Sequence, residues 1–348
     1  MSDVLRRLRG RNNEGVLLMV LIVLVVVMSL LNPAFLTPST AFSILRNATV
    51  PMIFALAVLI VIITGGIDVS FAVVAIFSAY TAVSFFLRAG LDPGVPAVFG
   101  VAIAIGALLG LFNGFVIARF RLPTLIVTLG TQGLFYGILY TYIGSRYYAE
   151  LPPSMTALSA VQVIDFPTDR GRAYLHVLVL LAVLLSVLVW MMLRFTLFGR
   201  SLYAIGGDAE AARRAGFRVV PTQMLVYVIV GALAAIAGVV HVTMSRSANP
   251  QDLVGGELDI IAAVVLGGAS IFGGRGSVLG AVLGVLLVQV INNSLLLAGV
   301  PSAWLRAAVG VLLILGVGVQ AVLANRRSRH IRTVDTADVD QTPREKVA

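Results

Sequence analysis

Long apolar runs separated by short polar segments dominate the chain from residue 16 onward. A helix needs about 20 apolar residues to cross a bilayer, and lipid offers no partner for backbone hydrogen bonds, so each run is predicted to form a membrane-spanning helix. The pattern predicts ten helices, of which the first and the eighth are the shortest. The runs cover residues 16–31, 44–63, 69–87, 95–117, 123–143, 173–193, 222–243, 258–272, 277–297 and 304–324.

Composition supports an all-α polytopic membrane protein. The 348 residues are 59% hydrophobic and only 12% charged, whereas a soluble domain carries about a quarter charged residues. The mean hydropathy is +1.00. This balance excludes collagen-like, disordered and disulfide-rich classes. Since the chain has no cysteine, disulfides, thiolate zinc sites and a cysteine nucleophile are excluded as well.

The cationic residues indicate orientation rather than nucleic-acid binding. Net charge is +9, and Lys346 is the only lysine. With the N-terminus in the cytoplasm, the inside segments hold 18 cations and the outside segments hold 7. Cytoplasmic loops of membrane proteins are enriched in Lys and Arg. The sequence therefore predicts ten spans with both termini in the cytoplasm, and no nucleic-acid partner.

Three regions follow from this topology. Residues 1–15 form a basic cytoplasmic N-terminus, and residues 326–348 form a cytoplasmic tail that is first basic and then disordered. Between them, residues 16–325 form the transmembrane domain. The N-terminus has the basic-then-apolar order of a signal peptide, but the segment after the first run is a poor cleavage site, so an uncleaved first helix is predicted.

Two similar segments within the chain predict an inverted repeat. Residues 106–111 (GALLGL) are nearly repeated at 280–285 (GAVLGV), and each copy follows a Gly-Gly pair with a nearby aspartate. On the predicted topology the two groups of spans run in opposite directions, as in transporters built from inverted repeats. Glycine-rich hexamers also recur in membrane helices because small residues allow close packing. Both explanations stay open.

A candidate contact site for a partner lies in the predicted cytoplasmic loop 194–221. Asp208 is suited to cap a short helix, Glu210 and Arg213 match the helix dipole, and Gly216 can end it. An isolated helix of two turns is unstable in water and needs a surface to pack on, either another protein or its own chain. The candidate residues are Gly207, Asp208, Glu210, Ala211, Ala212, Arg213 and Gly216.

Polar residues within the apolar runs suggest a transport path. Residues 64–68 interrupt an apolar stretch, either as a break that exposes Asp68 to a polar path or as a cytoplasmic turn that Asp68 caps. Buried amides either line such a path or hold helices together. The path candidates are Asp68, Asn113, Gln132, Asn292 and Asn293.

Two glycine-rich segments are predicted to be structural turns. One contains Gly65 and Gly66, and the other contains Gly273, Gly274 and Arg275. The second lacks the Lys-Ser/Thr ending of a phosphate-binding loop. No metal cluster and no Ser/His/Asp constellation is evident in the sequence, so we expect neither an enzyme nor a bound metal or cofactor.

Four motifs together resemble the permease subunits of ribose/monosaccharide-type ABC importers. They are Glu210-Ala211-Ala212 with Gly216, residues 63–70 (ITGGIDVS), residues 123–130 (PTLIVTLG), and residues 256–268 (GELDIIAAVVLGG) running into 273–277 (GGRGS). The resemblance covers about residues 40–325 in order. The chain departs from the family's pattern at Phe71-Ala72-Val73, where a small residue and a glycine are usual, and at Leu122-Pro123-Thr124.

The resemblance implies a fold, a function and partners. It implies import of a sugar or sugar-like solute across the bacterial cytoplasmic (inner) membrane. Two permeases would pair, as identical copies or as paralogues, and a pair of ATPases carrying ATP and Mg would dock on the 194–221 loop. A soluble substrate-binding protein would deliver the solute from outside.

Two alternatives come from other classes. A proton-coupled secondary sugar transporter would use Asp68 and Asp259 as proton sites. A membrane-embedded transferase would need a cluster of catalytic polar residues in a loop. Co-purification of an ATPase would favour the importer over both.

Overall fold

The computed structural model of the protein describes residues 14–168 and 171–297, with a few isolated positions as far as 311. The chain divides into two compact units, Met1–Pro301 and Ser302–Ala348. In the second unit, Trp304, Ala307, Gly310 and Val311 are helical. Most of the predicted N-terminal segment, most of the predicted tenth helix and the predicted tail lie outside the described residues.

The first unit is built from helices and one β-hairpin. In chain order its elements are α1 (Glu14–Leu31), α2 (Pro38–Ile63), α3 (Phe71–Ala89), α4 (Val95–Phe120), α5 (Thr124–Ile138), α6 (Pro153–Ser159), β1 (Gln162–Thr168), β2 (Gly171–His176), α7 (Leu178–Phe195), α8 (Leu197–Gly207), α9 (Ala209–Arg214), α10 (Val219–Ser245), α11 (Glu257–Leu266) and α12 (Val278–Leu297).

Seven of the described helices are long and apolar enough to cross a bilayer, namely α1 to α4, α7, α10 and α12. A wider π-helical turn, Leu139–Ile143, extends α5 to the end of the predicted fifth run. The predicted polytopic membrane class is therefore confirmed. The number of crossings, the repeat and the positions of the termini remain predictions.

The eighth apolar run does not form a spanning helix, so this part of the prediction is wrong. Helix α11 has ten residues, and its length of about 15 Å is half the thickness of the hydrocarbon core. It ends at Leu266 with Gly267 as its C-cap, and the next residue, Gly268, has a φ of +93°. That left-handed conformation terminates a helix and suits glycine.

A β-hairpin corrects the all-α prediction. Strands β1 and β2 pair antiparallel, with Ile164 opposite Leu175 and Pro167 opposite Arg172. The predicted sixth run begins at residue 173, but residues 173–176 belong to β2, and the helix starts at Leu178. The hairpin lies in the long segment predicted to be outside the membrane, where water can satisfy its unpaired edges.

At the centre of the unit, helices pack closely against one another at glycine residues. Helix α10 packs along α4, α3 and α2. A Cβ at Gly110 would lie 2.1 Å from the carbonyl oxygen of Tyr227, and one at Gly106 would lie 2.4 Å from that of Gly231. In the second of the two similar segments, residues 280–285, a Cβ at Gly280 would lie 2.0 Å from the carbonyl oxygen of Gly267. Both copies thus serve close helix contact.

Candidate functional site

The predicted contact helix exists as α9, and its start is capped. The Asp208 carboxylate accepts backbone hydrogen bonds from Glu210 at 2.9 Å and Ala211 at 3.0 Å. The bonds from Ala211 and Glu210 hold the pKa of Asp208 below its ordinary value, because they favour the charged form. Asp208 therefore stays anionic at neutral pH and fixes the direction in which α9 leaves α8.

The end of α9 is closed by glycine geometry. Gly216 has a φ of +90° and donates its N–H to the Arg213 carbonyl oxygen at 3.0 Å, while Phe217 donates to Ala212 at 3.1 Å. This pair of bonds satisfies carbonyl groups that a helix end leaves free. Both ends of this short helix are thus defined within the chain.

Ala212, one of the predicted contact residues, does not belong to the exposed face of α9. It is buried against Ile205 and Val219 of its own chain. Ala211 is exposed. Glu210 and Arg213 form an exposed ion pair of 3.0 Å, which contributes little to stability. The face that α9 leaves open carries Gly207, Asp208, Glu210, Ala211, Arg213 and Gly216.

Three glycine-rich turns meet beside α9, and we name them the turn cluster: residues 63–66, 206–208 and 273–276. The Gly274 N–H donates to the Ile63 carbonyl oxygen at 2.9 Å. A Cβ at Gly206 would lie 1.8 Å from that same oxygen. The turn cluster therefore joins the end of α8 to the end of α2.

A further bond joins α8 to the segment that leads into α12. The Tyr203 hydroxyl donates to the Gly276 carbonyl oxygen at 2.9 Å. The two predicted turns are far apart in the sequence, and the sequence did not predict that Gly206 and Tyr203 contact them. The only local signal was the Gly206-Gly207 pair. The cluster contains all the predicted turn residues, Gly65, Gly66, Gly273, Gly274 and Arg275.

Between the end of α2 and the start of α3, the chain reverses direction and runs back alongside α2. Phe71, the first residue of α3, packs its ring 5.0 Å from that of Phe54, which lies about 13 Å up α2 from its end at Ile63. The Ile67 N–H donates to the Thr124 hydroxyl of α5 at 2.9 Å. The interruption at residues 64–68 is thus a break within the helix bundle.

Asp68 is buried in this break. The Ser70 N–H and hydroxyl both donate to one Asp68 carboxylate oxygen at 2.7 Å, and the Asn113 amide donates to the Ser70 hydroxyl at 2.8 Å. Asp68 therefore anchors the start of α3. It holds the start of a helix, close to the role that the turn interpretation predicts, but it lies in a break within the bundle, as the path interpretation predicts.

The other path candidates do not share the hydrogen bonds of Asp68 and Asn113. The Gln132 amide donates to Glu257 at 3.0 Å and so links α5 to α11. Asn292 and Asn293 lie on α12, and their buried carbonyl oxygens have no partner among the described residues. The structure joins only the first two of the five candidates through a hydrogen-bonded chain.

A cavity of about 520 Å³ lies between α2, α10 and the loop before α11, and we name it the α2–α10 cavity. The loop is tied to α10 because Asp252 pairs with His241 at 3.1 Å, and within the loop the Asn249 amide donates to Asp252 at 3.1 Å. Phe71, where the resemblance leads us to expect a small residue, lines this cavity. No spacing of residues along the chain predicts this cavity. The lining residues are Arg46, Asn47, Val50, Pro51, Phe54, Phe71, His241, Met244, Ser245, Leu253, Gly256 and Ile260.

Comparison with known proteins decides the family. Residues 40–317 match the family described as Branched-chain amino acid transport system / permease component. The chain belongs to this permease family. The predicted resemblance to sugar permeases of the ribose/monosaccharide type is confirmed as well. No solved structure matches the permease.

Three curated relatives resemble the permease over most of its length. The ribose import permease protein RbsC of Bacillus subtilis is 36% identical and covers 85% of this chain and 89% of the relative. The autoinducer 2 import system permease protein LsrC of Enterobacter sp. is 34% identical, with 93% and 91% covered. The fructose import permease protein FrcC of Rhizobium meliloti is 33% identical, with 83% and 80% covered.

Proposed function

We propose that the permease is the membrane-spanning subunit of an ABC importer that moves a sugar or sugar-like solute into a bacterial cell. It would lie in the cytoplasmic membrane and pair with a second copy or a paralogue. Separate ATPases would supply the energy, and a soluble binding protein would deliver the solute. The relatives named for ribose, autoinducer 2 and fructose import support this class of solute.

The observation that carries the proposal is the connection of α9 to the turn cluster. The exposed face of α9 offers a docking surface, while Gly206 contacts the end of α2 and Tyr203 bonds to Gly276 before α12. Closure of docked ATPases would displace α9, and these contacts would pass the displacement to two spanning helices as a rigid-body tilt. Bound ATP and Mg would belong to the ATPases.

We also propose the ten-span topology with both termini in the cytoplasm. Ala248 pairs with Tyr148, at one end of the bundle, and Gly274 bonds to Ile63, at the other end. The chain between 248 and 274 would therefore make the eighth crossing as a loop, the short α11 and a turn, in the way that transporters use broken helices. The inverted repeat stays part of this proposal.

The Glu210→Lys permease should lose its ATPase and its sugar uptake. The substitution places a cation in the first turn of α9, where the helix dipole disfavours it, and reverses the charge of the docking face. We expect at least about a tenfold drop in co-purified ATPase, equal to roughly 1.4 kcal/mol of binding. Pull-down from membranes and uptake of labelled ribose and fructose would measure both effects.

The matched control is Glu150→Lys, which makes the same change at an exposed position outside the α9 face. We expect this variant to retain ATPase binding and uptake. Normal ATPase recovery and normal uptake with Glu210→Lys would refute the docking assignment.

One observation favours a second candidate, a proton-coupled sugar transporter. Asp68 is a buried carboxylate inside the bundle, and such groups often serve proton transfer. Its bonds to Ser70 give it a structural task instead. Sugar uptake that survives ATP depletion and collapses with an uncoupler would favour this candidate. The transferase alternative is excluded, because the family is a transport component.

A further inference from the structure

We propose that the α2–α10 cavity is the site where the permease receives its solute, and that its chemistry selects an uncharged polyhydroxylated molecule over an amino acid. This inference rests on the proposed import function and adds the site and its selectivity. The choice matters because the matching family is described by amino acid transport, whereas the curated relatives carry sugar names.

The cavity has the size and the mixed lining of a small-molecule site. Its volume of about 520 Å³ falls within the roughly 300–1,000 Å³ typical of such sites. Phe54 and Phe71 are buried lining residues, 4% and 1% exposed, whose ring centroids lie 5.0 Å apart at a tilt of 55°. These buried rings give the cavity an apolar wall, and a mainly apolar lining with a few polar groups is typical of a small-molecule site.

The polar groups of the cavity can both donate and accept hydrogen bonds. The Asn47 amide and the Ser245 hydroxyl are exposed, and each has donor and acceptor capacity. Pro51 lies within α2 and also lines the cavity. Because proline has no N–H, the Asn47 carbonyl oxygen lacks its usual helical donor. Sugar hydroxyls need this combination of donors and acceptors.

The charges of the cavity do not suit an amino acid, which needs a carboxylate for its ammonium group. No carboxylate belongs to the lining residues, all of which the structure describes. The nearby Asp252 is already bonded to His241 and Asn249. Arg46 is the one arginine or lysine in the lining, and its guanidinium lies 4.4 Å over the Tyr174 ring. A zwitterion would leave its ammonium group unpaired, which is costly.

The loop that closes the cavity is held in a strained conformation. Leu253 lines the cavity with a φ of +69°, which is rare for a residue with a side chain. Strain of this kind persists where surrounding contacts impose it, and the bonds of Asp252 to His241 and Asn249 provide those contacts. The cavity wall is therefore built into the fold.

Protection of a single cysteine tests the site directly, because the chain has no cysteine of its own. Val50→Cys would place a thiol in the cavity, and Ser245→Cys provides a second, exposed position there. Membrane vesicles holding the assembled importer would be treated with a small thiol reagent, with D-ribose, D-fructose or L-leucine present. The control is Ala41→Cys, exposed on α2 outside the cavity.

We expect ribose or fructose to slow labelling of both cavity cysteines, by about tenfold at ten times the Kd, and to leave Ala41→Cys unchanged. Leucine should protect none of them. Equal protection by leucine, or no protection by either sugar, would overturn the inference. ATP-driven uptake by the unsubstituted importer is measured in parallel: uptake without protection removes only the cavity assignment, whereas absence of ATP-driven sugar uptake removes the proposed function itself.

Discussion

We expect the Gly206→Ala permease to keep its ATPase partner and lose at least about tenfold of its sugar uptake. The added methyl group would lie 1.8 Å from the Ile63 carbonyl oxygen and 2.7 Å from the Gly274 nitrogen. Since both are backbone atoms, the turns must separate, and overpacking of this kind costs about 1–3 kcal/mol. The exposed face of α9 is unchanged, so docking survives while the connection to α2 is altered.

Two measurements on the same preparation check this result. ATPase activity and sugar uptake are recorded for the reconstituted importer, and the expected signature is hydrolysis that no longer drives uptake. Gly133→Ala serves as the control, because nothing lies within 4 Å of a Cβ at this helical position. Unchanged uptake by Gly206→Ala would mean that the turn cluster does not transmit the motion of α9.

The features that the sequence predicts well are local. The caps of α9 depend on Asp208 and Gly216, two residues within the same short segment, and the structure has both. The spanning helices likewise follow from runs of apolar residues long enough for a bilayer. In each case the relevant interaction lies within one segment, so that residue type and spacing contain the information.

The features that the sequence did not predict depend on distant segments. The turn cluster brings together residues more than 200 positions apart, such as Ile63 and Gly274, and no spacing along the chain indicates that contact. The burial of Ala212 depends on Ile205 and Val219, which lie outside α9 itself. The short α11 reads as a span because apolar residues continue past its end at Leu266, although two glycines stop the helix.

The α2–α10 cavity, too, could not be predicted from the sequence, because it depends on contacts between distant segments. It forms where α2 faces α10 and the loop at Asp252, and its polar residues are far apart in sequence. The partner of His241, Asp252, lies across a turn, 11 residues further along the chain. Pro51 gave a hint, since a proline within a spanning helix frees a carbonyl group, but the helix alone does not say what faces it.

Replacing Gly110 with leucine should strongly reduce the amount of folded permease. A Cβ at this position would lie 2.1 Å from the Tyr227 carbonyl oxygen, so α4 and α10 cannot remain in contact with a larger side chain between them. Helix association in membranes depends on such close packing at small residues. We expect a loss of at least about 1–3 kcal/mol, measured by thermal unfolding of the purified protein in detergent.

The same substitution at Gly100, on the same helix, separates packing from helix propensity. Nothing lies within 4 Å of a Cβ at Gly100, and leucine is a better helix former than glycine by roughly 0.8 kcal/mol. Gly100→Leu should therefore unfold at the same temperature as the parent protein or slightly above it. Equal destabilisation by the two variants would show that bulk anywhere on α4 is harmful, and the specific contact between α4 and α10 would no longer explain why glycine stands at position 110.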